Sequence, residues 1–360
     1  MSMITSVSSR ACRLPMPVPW GPGREHQYLI VTDLAADDGA TGTGFTWTVD
    51  AGARAILTML DNDCRPTIEG GPAAPELAWD RLRWHLREVG GGIATLAIAA
   101  IDIGLWDLRA KAAGLSLADQ IGRRRDQAGA YASGVNRHLT LDELTEQVGS
   151  WIAAGHCRVK IKVGLPDLSQ DIERVAAVRR VIGPRRLLMI DANQLWDLPT
   201  ARRAAALLAS YDIYWLEEPL PAHDIRGYAR LRSAIDIPIA TGESLFSEAE
   251  FLDLLVAQGC DFIQPNVCRV GGITPFLRIA SLARAFSIPV MPHLLPDISG
   301  QLAMCLPLPP LVEAIDQGSF ADLGALEGSG AIAVHGGSLR TLPGRGHGLT
   351  FTMAAAEEII

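Results

Sequence analysis

Leu187-Leu188-Met189-Ile190-Asp191, Ile213-Tyr214-Trp215-Leu216-Glu217 and Ile237-Pro238-Ile239-Ala240-Thr241-Gly242-Glu243 are the runs whose reading decides the fold. Each is an apolar, strand-forming run that closes on an acid. The acids recur at a fixed interval: 26 residues separate Asp191 from Glu217, and 26 separate Glu217 from Glu243. One strand, one helix and two short loops occupy about that length, so the spacing reads as successive βα units. Further strand-like runs flank them at Val159–Val163, Phe262–Gln264 and Ile288–Met291. Between the strands, Leu168, Ile172, Val175, Val178 and Ile182 fall at helical spacing and stop at Gly183-Pro184, while Pro199–Leu208 reads as an Ala- and Arg-rich helix. Strands alternating with helices predict an α/β fold with a parallel sheet closed into a barrel.

Outside this region the pattern changes. Before about residue 127 a Gly- and Asp-rich hairpin signal at Asp37–Thr43 is followed by helical segments through Ala113, which predicts a separate α+β domain over 1–127 and a barrel over 128–339. After Leu339 a Gly-rich stretch ends in Leu349-Thr350-Phe351-Thr352, which reads as a strand too far along the chain to belong to the barrel.

Composition narrows the class. A chain of 360 residues with 48% hydrophobic content buries a large core in two domains, and a charged fraction of 20% argues against disorder. The net charge of -8 would repel nucleic acid and anionic membrane, so neither is expected as a partner. The most apolar segment, Ile93–Leu108, is too short to span a bilayer and carries Asp102 and Asp107, so it reads as a buried helix. Six cysteines without a CxxC pair indicate free thiols, and no N-terminal apolar stretch is long enough for a signal peptide; both suggest the cytoplasm.

In Val159-Lys160-Ile161-Lys162-Val163 the two lysines alternate with apolar residues, so both point to one side of the strand. Inside a barrel, side chains at the C-terminal strand ends form active sites, and two neighbouring cations there are expected to lower each other's pKa, with a nearby metal ion lowering it further, which suits a general base. Asp191, Glu217 and Glu243 close three successive strands and converge on the same mouth. Their repulsion calls for a hard divalent cation, and an oxygen-only set favours Mg²⁺, with Mn²⁺ as a substitute. Lysine plus a carboxylate-held cation is the equipment for removing the unacidic proton next to a substrate carboxylate. His293 and Glu313 end the following strands, and His293 reads as the second acid or base.

With these residues the sequence resembles the enolase superfamily, in particular its mandelate racemase-like subgroup with the acid-sugar dehydratases. Ala99-Ala100-Ile101-Asp102-Ile103-Gly104-Leu105-Trp106-Asp107-Leu108 is similar to the family's capping-domain helix, Lys160-Ile161-Lys162 to its KxK strand, and Val270-Gly271-Gly272-Ile273 to the segment after its sixth strand. The resemblance implies a modified TIM-type (β/α)7β barrel under an α+β cap that the tail 340–360 completes, with a lid at Pro15–Gly23 carrying Trp20. It also implies Asp191, Glu217 and Glu243 as Mg²⁺ ligands, Lys162 as base, Lys160 as its carboxylate-contacting neighbour, and His293 as the group on the opposite face. Asn193, Glu313 and Trp20 are then substrate contacts, and a symmetric homo-oligomer is implied. The subgroup's aspartate partner of the histidine is replaced here by Asn266, also a candidate substrate contact. An asparagine orients the ring without supplying charge, which favours dehydration of a sugar acid to a 2-keto-3-deoxy acid over racemisation or epimerisation of a 2-hydroxy acid. Two other readings are a catalytically weakened member with a binding role and a Schiff-base lysine aldolase, which would not need three carboxylates.

Overall fold

The computed structural model describes residues 2–352 and 357–358. Its first part is an antiparallel meander of β1 (Ile4–Pro15), β2 (His26–Ala36) and β3 (Thr41–Val49), with the backbone of Glu357–Glu358 paired to the free edge of β1. The β2–β3 turn falls where the Gly- and Asp-rich signal placed it, with Asp38 accepting the Ala40 N–H at 3.0 Å. One face of this sheet packs on the helix Ile93–Ala112, buried along most of its length. The two backbones come so close that a Cβ added to Gly44 would lie 1.9 Å from the carbonyl oxygen of Ala100. Gly44→Ala is therefore expected to destabilise the cap by about 1–3 kcal/mol, the usual cost of overpacking a close-packed core. Thermal denaturation checks this, and an unchanged melting temperature would mean that sheet and helix part freely.

The acids in that apolar helix pin it. Asp102 accepts the Thr274 N–H at 2.9 Å, and Asp107 accepts the N–H groups of Thr43 and His347, each at 2.9 Å, so the helix ties the first sheet to the barrel and to the tail. Among the described residues, no helix is long and apolar enough to cross a membrane.

The barrel consists of β4 (Ala128–Ser133), β5 (Arg158–Lys162), β6 (Leu187–Asp191), β7 (Ile213–Glu217), β8 (Ile239–Thr241) and β9 (Phe262–Ile263), parallel and adjacent in chain order, with β10 (Leu311–Ile315) on the other side of β4. The expected strand at Ile288–Met291 is reduced to one bridge, Ile263 with Val290. Pro289 and Pro292 lack the N–H groups a longer ladder would use. A hairpin the sequence did not signal, β11 (Ile332–His335) and β12 (Ser338–Thr341), lays β12 antiparallel on β4. The expected strand at Leu349–Thr352 is reduced in the same way to one antiparallel bridge, Phe351 with Leu326. The Thr352 N–H donates to the Ala325 carbonyl at 2.9 Å within that bridge, the Leu349 N–H turns to His347 Nδ1 at 3.0 Å, and Phe351 packs on Phe45 with ring centroids 5.3 Å apart.

Side-chain alternation divides each strand. Val159 and Ile161 face the surrounding helices, whereas Tyr131, Met189, Trp215, Ala240 and Met291 form a separate cluster that fills the barrel beneath the strand ends.

Candidate active site

The parallel register sets the central row. Lys162 stands opposite Asp191 and Asp191 opposite Glu217, so residues distant in sequence become lateral neighbours at one end of the sheet. Lys162 Nζ donates to Asp191 Oδ2. Lys160 Nζ donates to Glu217 Oε1 at 2.5 Å and lies 2.9 Å from Glu313 Oε1. The other oxygen of Glu217 accepts from Trp215 Nε1 at 3.0 Å and Gln264 Nε2 at 2.7 Å. Glu243, on the loop after β8, lies 3.1 Å from Arg269 Nη1 and 2.9 Å from His293 Nε2.

Asp191, Glu217 and Glu243 each offer an oxygen, all three within 4.8 Å of one another, and all three residues are buried. That donor set fits Mg²⁺: hard oxygens, no sulfur or nitrogen, and more negative charge than the site sustains unaided. Burial first, and then the neighbouring acids against the opposing pull of Lys160, push the Glu217 carboxyl up to about 8. Burial together with Glu243 and Asp191 pushes Glu218 up as well. Glu243 and Glu313 go the other way despite their burial: His293 and Arg269 hold Glu243 well below the usual range, and Lys160 and His293 bring Glu313 down to about 2.

The expectation that the paired lysines depress each other is corrected here. Burial opposes the charge on each, and Lys160 does lower Lys162, but Asp191 outweighs these for Lys162, as Glu217 and Glu313 do for Lys160, so both ammonium groups lie above their ordinary range. The carboxylates stand at contact with the ammonium groups, 2.5 and 2.9 Å from Lys160 Nζ, and Coulomb attraction at contact wins.

Above this floor opens a cleft of about 880 Å³, lined among others by Trp20, Lys162, Asn193, Glu243, His293 and Glu313. Asn193, at φ 44°, caps Asp191 through its own N–H at 2.8 Å. Trp20, on the loop between β1 and β2, meets Trp47 edge-on at 6.4 Å. Lys160, 1% exposed, lies beneath the cleft. Asn266 is fully buried behind His293 and does not line the cleft, so its geometry is that of an orienting group. Its Oδ1 accepts the N–H groups of Cys268 (3.0 Å) and Arg269 (3.1 Å), which turns its amino group toward His293 Nδ1 at 3.0 Å. When the ring is neutral, Nδ1 accepts on that side and the ring proton sits on Nε2, the edge that faces Glu243.

Other polar residues at the site carried little signal in the sequence. Glu218 was visible only as the second acid of Glu217-Glu218-Pro219, and Gln194, which binds Glu218 Oε2 and Ser244 Oγ at 2.9 Å each, had none. Asn136 holds the Lys162 N–H at 2.9 Å through its side chain, a contact that no spacing announces.

Comparison with known proteins places this geometry. The mandelate racemase / muconate lactonizing enzyme N-terminal domain matches residues 3–122, and the enolase C-terminal domain-like family matches residues 143–355. The chain is 38% identical to an L-talarate/galactarate dehydratase of Salmonella typhimurium, over 79% of this chain and 72% of that protein. It is 35% identical to a 3,6-anhydro-alpha-L-galactonate cycloisomerase of Streptomyces coelicolor, over 87% of this chain and 88% of that one. A solved L-talarate dehydratase from Polaromonas sp. JS666, complexed with Mg and L-glucarate, superimposes with a TM-score of 0.90 at 36% identity, covering 100% of this chain and 99% of that one.

Proposed function

The chain belongs to the mandelate racemase/muconate lactonizing enzyme family of the enolase superfamily, and from that premise we propose that it is a Mg²⁺-dependent dehydratase that converts a sugar acid to its 2-keto-3-deoxy acid. The observation that carries the reading is the row Lys162–Asp191–Glu217 with Glu243 beside it: a lysine at the edge of a cleft, against a buried set of oxygens that fits a divalent cation. When bound, Mg²⁺ supplies positive charge that satisfies these carboxylates, releases Lys162 from the attraction keeping it protonated, and offsets charge developing on the substrate carboxylate as its α-proton leaves.

Lys162 takes the α-proton and becomes an ammonium. His293, across the cleft and acting as its imidazolium, delivers the Nε2 proton to the departing β-hydroxyl and is left a neutral imidazole; the hydroxyl leaves as water, and the enol product tautomerises to the keto acid. The proton gained by Lys162 balances the one spent by His293, so exchange with solvent restores both groups. Glu313 and Asn193 hydrogen-bond the substrate, and Trp20 covers the mouth. Dehydration is favoured over two-base racemisation because Asn266, 3.0 Å from the ring, orients His293 without supplying the charge that would strengthen it as a second base, while dehydration asks it only to hand one proton to the leaving hydroxyl. A homo-oligomer is part of the same reading, supported by the exposed Leu77 and Trp84 on one helix. So is a cytoplasmic location, supported by six free cysteines.

The test is product identification by NMR in D₂O with Mg²⁺ across a panel of sugar acids. A 2-keto-3-deoxy acid is expected, and an inverted substrate deuterated at the α-carbon would make the protein an epimerase instead. His293→Asn separates the steps further: elimination should fall by about 10²- to 10⁴-fold, while α-proton exchange persists. Equal loss of both would make His293 the initiating base.

A further inference from the structure

The cleft has a second charged wall, away from the lysines. It is built on the loop after β4, where the Leu139 N–H returns to the Asn136 carbonyl at 3.2 Å and sets Arg137 and His138 at the tip of a tight turn. The turn is held rigidly from behind. Arg174 donates to the carbonyls of Asn136 at 2.6 Å and Leu139 at 2.7 Å, one on each side of the tip. The Asn136 side chain binds the Lys162 backbone, so the turn is anchored to the strand that carries the proposed base.

Three arginines line the cleft, and two are engaged. Arg269 binds Glu243, and Arg24, on the loop opposite, pairs with Asp50 at 3.1 Å. Arg137 is half-buried and has neither ion pair nor hydrogen bond among the described residues. Its charge reaches Asp171, but that carboxylate is taken by the N–H groups of Gly164 (3.0 Å) and Leu165 (3.1 Å). The cap loop comes down on the same turn: a Cβ on Gly21 would lie 4.0 Å from His138 Nδ1. At this wall, then, an arginine carried on a braced turn lines the cleft with no anion of its own among the described residues, and Asp50, which also lines the cleft, is already paired. An unpaired, partly desolvated guanidinium is well suited to a bidentate carboxylate.

We propose that Arg137 is the specificity residue for a second substrate carboxylate, so that the substrate is a polyhydroxylated dicarboxylate: one carboxylate goes to the Lys162 end and the distal one to Arg137, with Arg24 and His138 beside it. This rests on the dehydratase reading for the reaction and goes beyond it for the substrate. The similar proteins do not decide the matter, since their names include galactarate, a diacid, and anhydrogalactonate, a monoacid.

The test uses matched pairs that differ only at the distal carbon, galactarate with galactonate and glucarate with gluconate, with Mg²⁺ present. Binding is read by calorimetry on Lys162→Ala, whose turnover is too slow to disturb the measurement, and kcat/KM is read on the otherwise unaltered enzyme. At least one diacid is expected to bind more tightly than its monoacid. In Arg137→Gln that preference should shrink by about 10- to 100-fold, with the kinetic loss in KM rather than kcat and partial recovery in Arg137→Lys. Equal binding of diacid and monoacid, or an equal loss for both in Arg137→Gln, would overturn the proposal and leave Arg137 as part of the turn's structure. A diacid preference that depends on Arg137, without any keto acid formed, would uphold this inference and sink the dehydratase reading.

Discussion

Lys162→Ala is expected to lower turnover by about 10⁴-fold, the upper range for losing a positioned general base, and to abolish exchange of the substrate α-proton with solvent. The loss should appear in kcat, because the ammonium faces Asp191 rather than anchoring the barrel. Unpairing Asp191 leaves a buried carboxylate without its partner, so the variant should be less stable when metal is removed and close to the parent when Mg²⁺ occupies the site. Circular dichroism and melting curves with and without Mg²⁺, beside proton NMR of the substrate in D₂O, measure both effects. If Lys162→Ala still exchanged the α-proton at a substantial rate, the base would have to be sought on the other face, at His293.

Removing the metal is expected to be as severe. Treatment with EDTA should take activity to background and Mg²⁺ should restore it. Melting temperature should follow, because a ligand that binds only the folded protein stabilises it by about 2.7 kcal/mol at a hundredfold excess over its Kd. Relief of repulsion among the crowded acids, of which Glu217 and Glu218 hold their protons most strongly, gives this stabilisation its physical source. Binding should also release protons, measurable as a dependence of the calorimetric heat on buffer. Full turnover by a metal-free preparation would remove the basis for the whole mechanism. An unchanged melting temperature at saturating Mg²⁺ would remove Asp191, Glu217 and Glu243 as its ligands.

Much of this arrangement follows from the sequence, because a barrel is a periodic object. Once strands end every 26 residues, the acids at their ends must meet at one mouth, and alternation along β5 sends Lys160 and Lys162 inward together. The helix Leu168–Ile182 has the ends its spacing predicted, since apolar period and Gly-Pro stop are both local signals. Other features depend on contacts between distant segments, which leave no local trace. How far Leu349–Thr352 extends as a strand depends on the edge beside it, and it finds only one bridge, to Leu326, while the Leu349 N–H turns to a histidine nitrogen. The protonation bias of the two lysines without metal differs from the mutual depression read in the sequence, because adjacency in a strand is visible there, whereas the carboxylates that outweigh it arrive from other strands. The orientation of Asn266, the hold of Asn136 on the base-carrying strand and the unpaired state of Arg137 are of the same kind. Sequence alone determined which residue types line the barrel mouth. Tertiary structure decided which of them are already paired, because hydrogen bonds and Coulomb attraction fall off over a few ångströms while the residues that satisfy them stand tens or hundreds of positions apart.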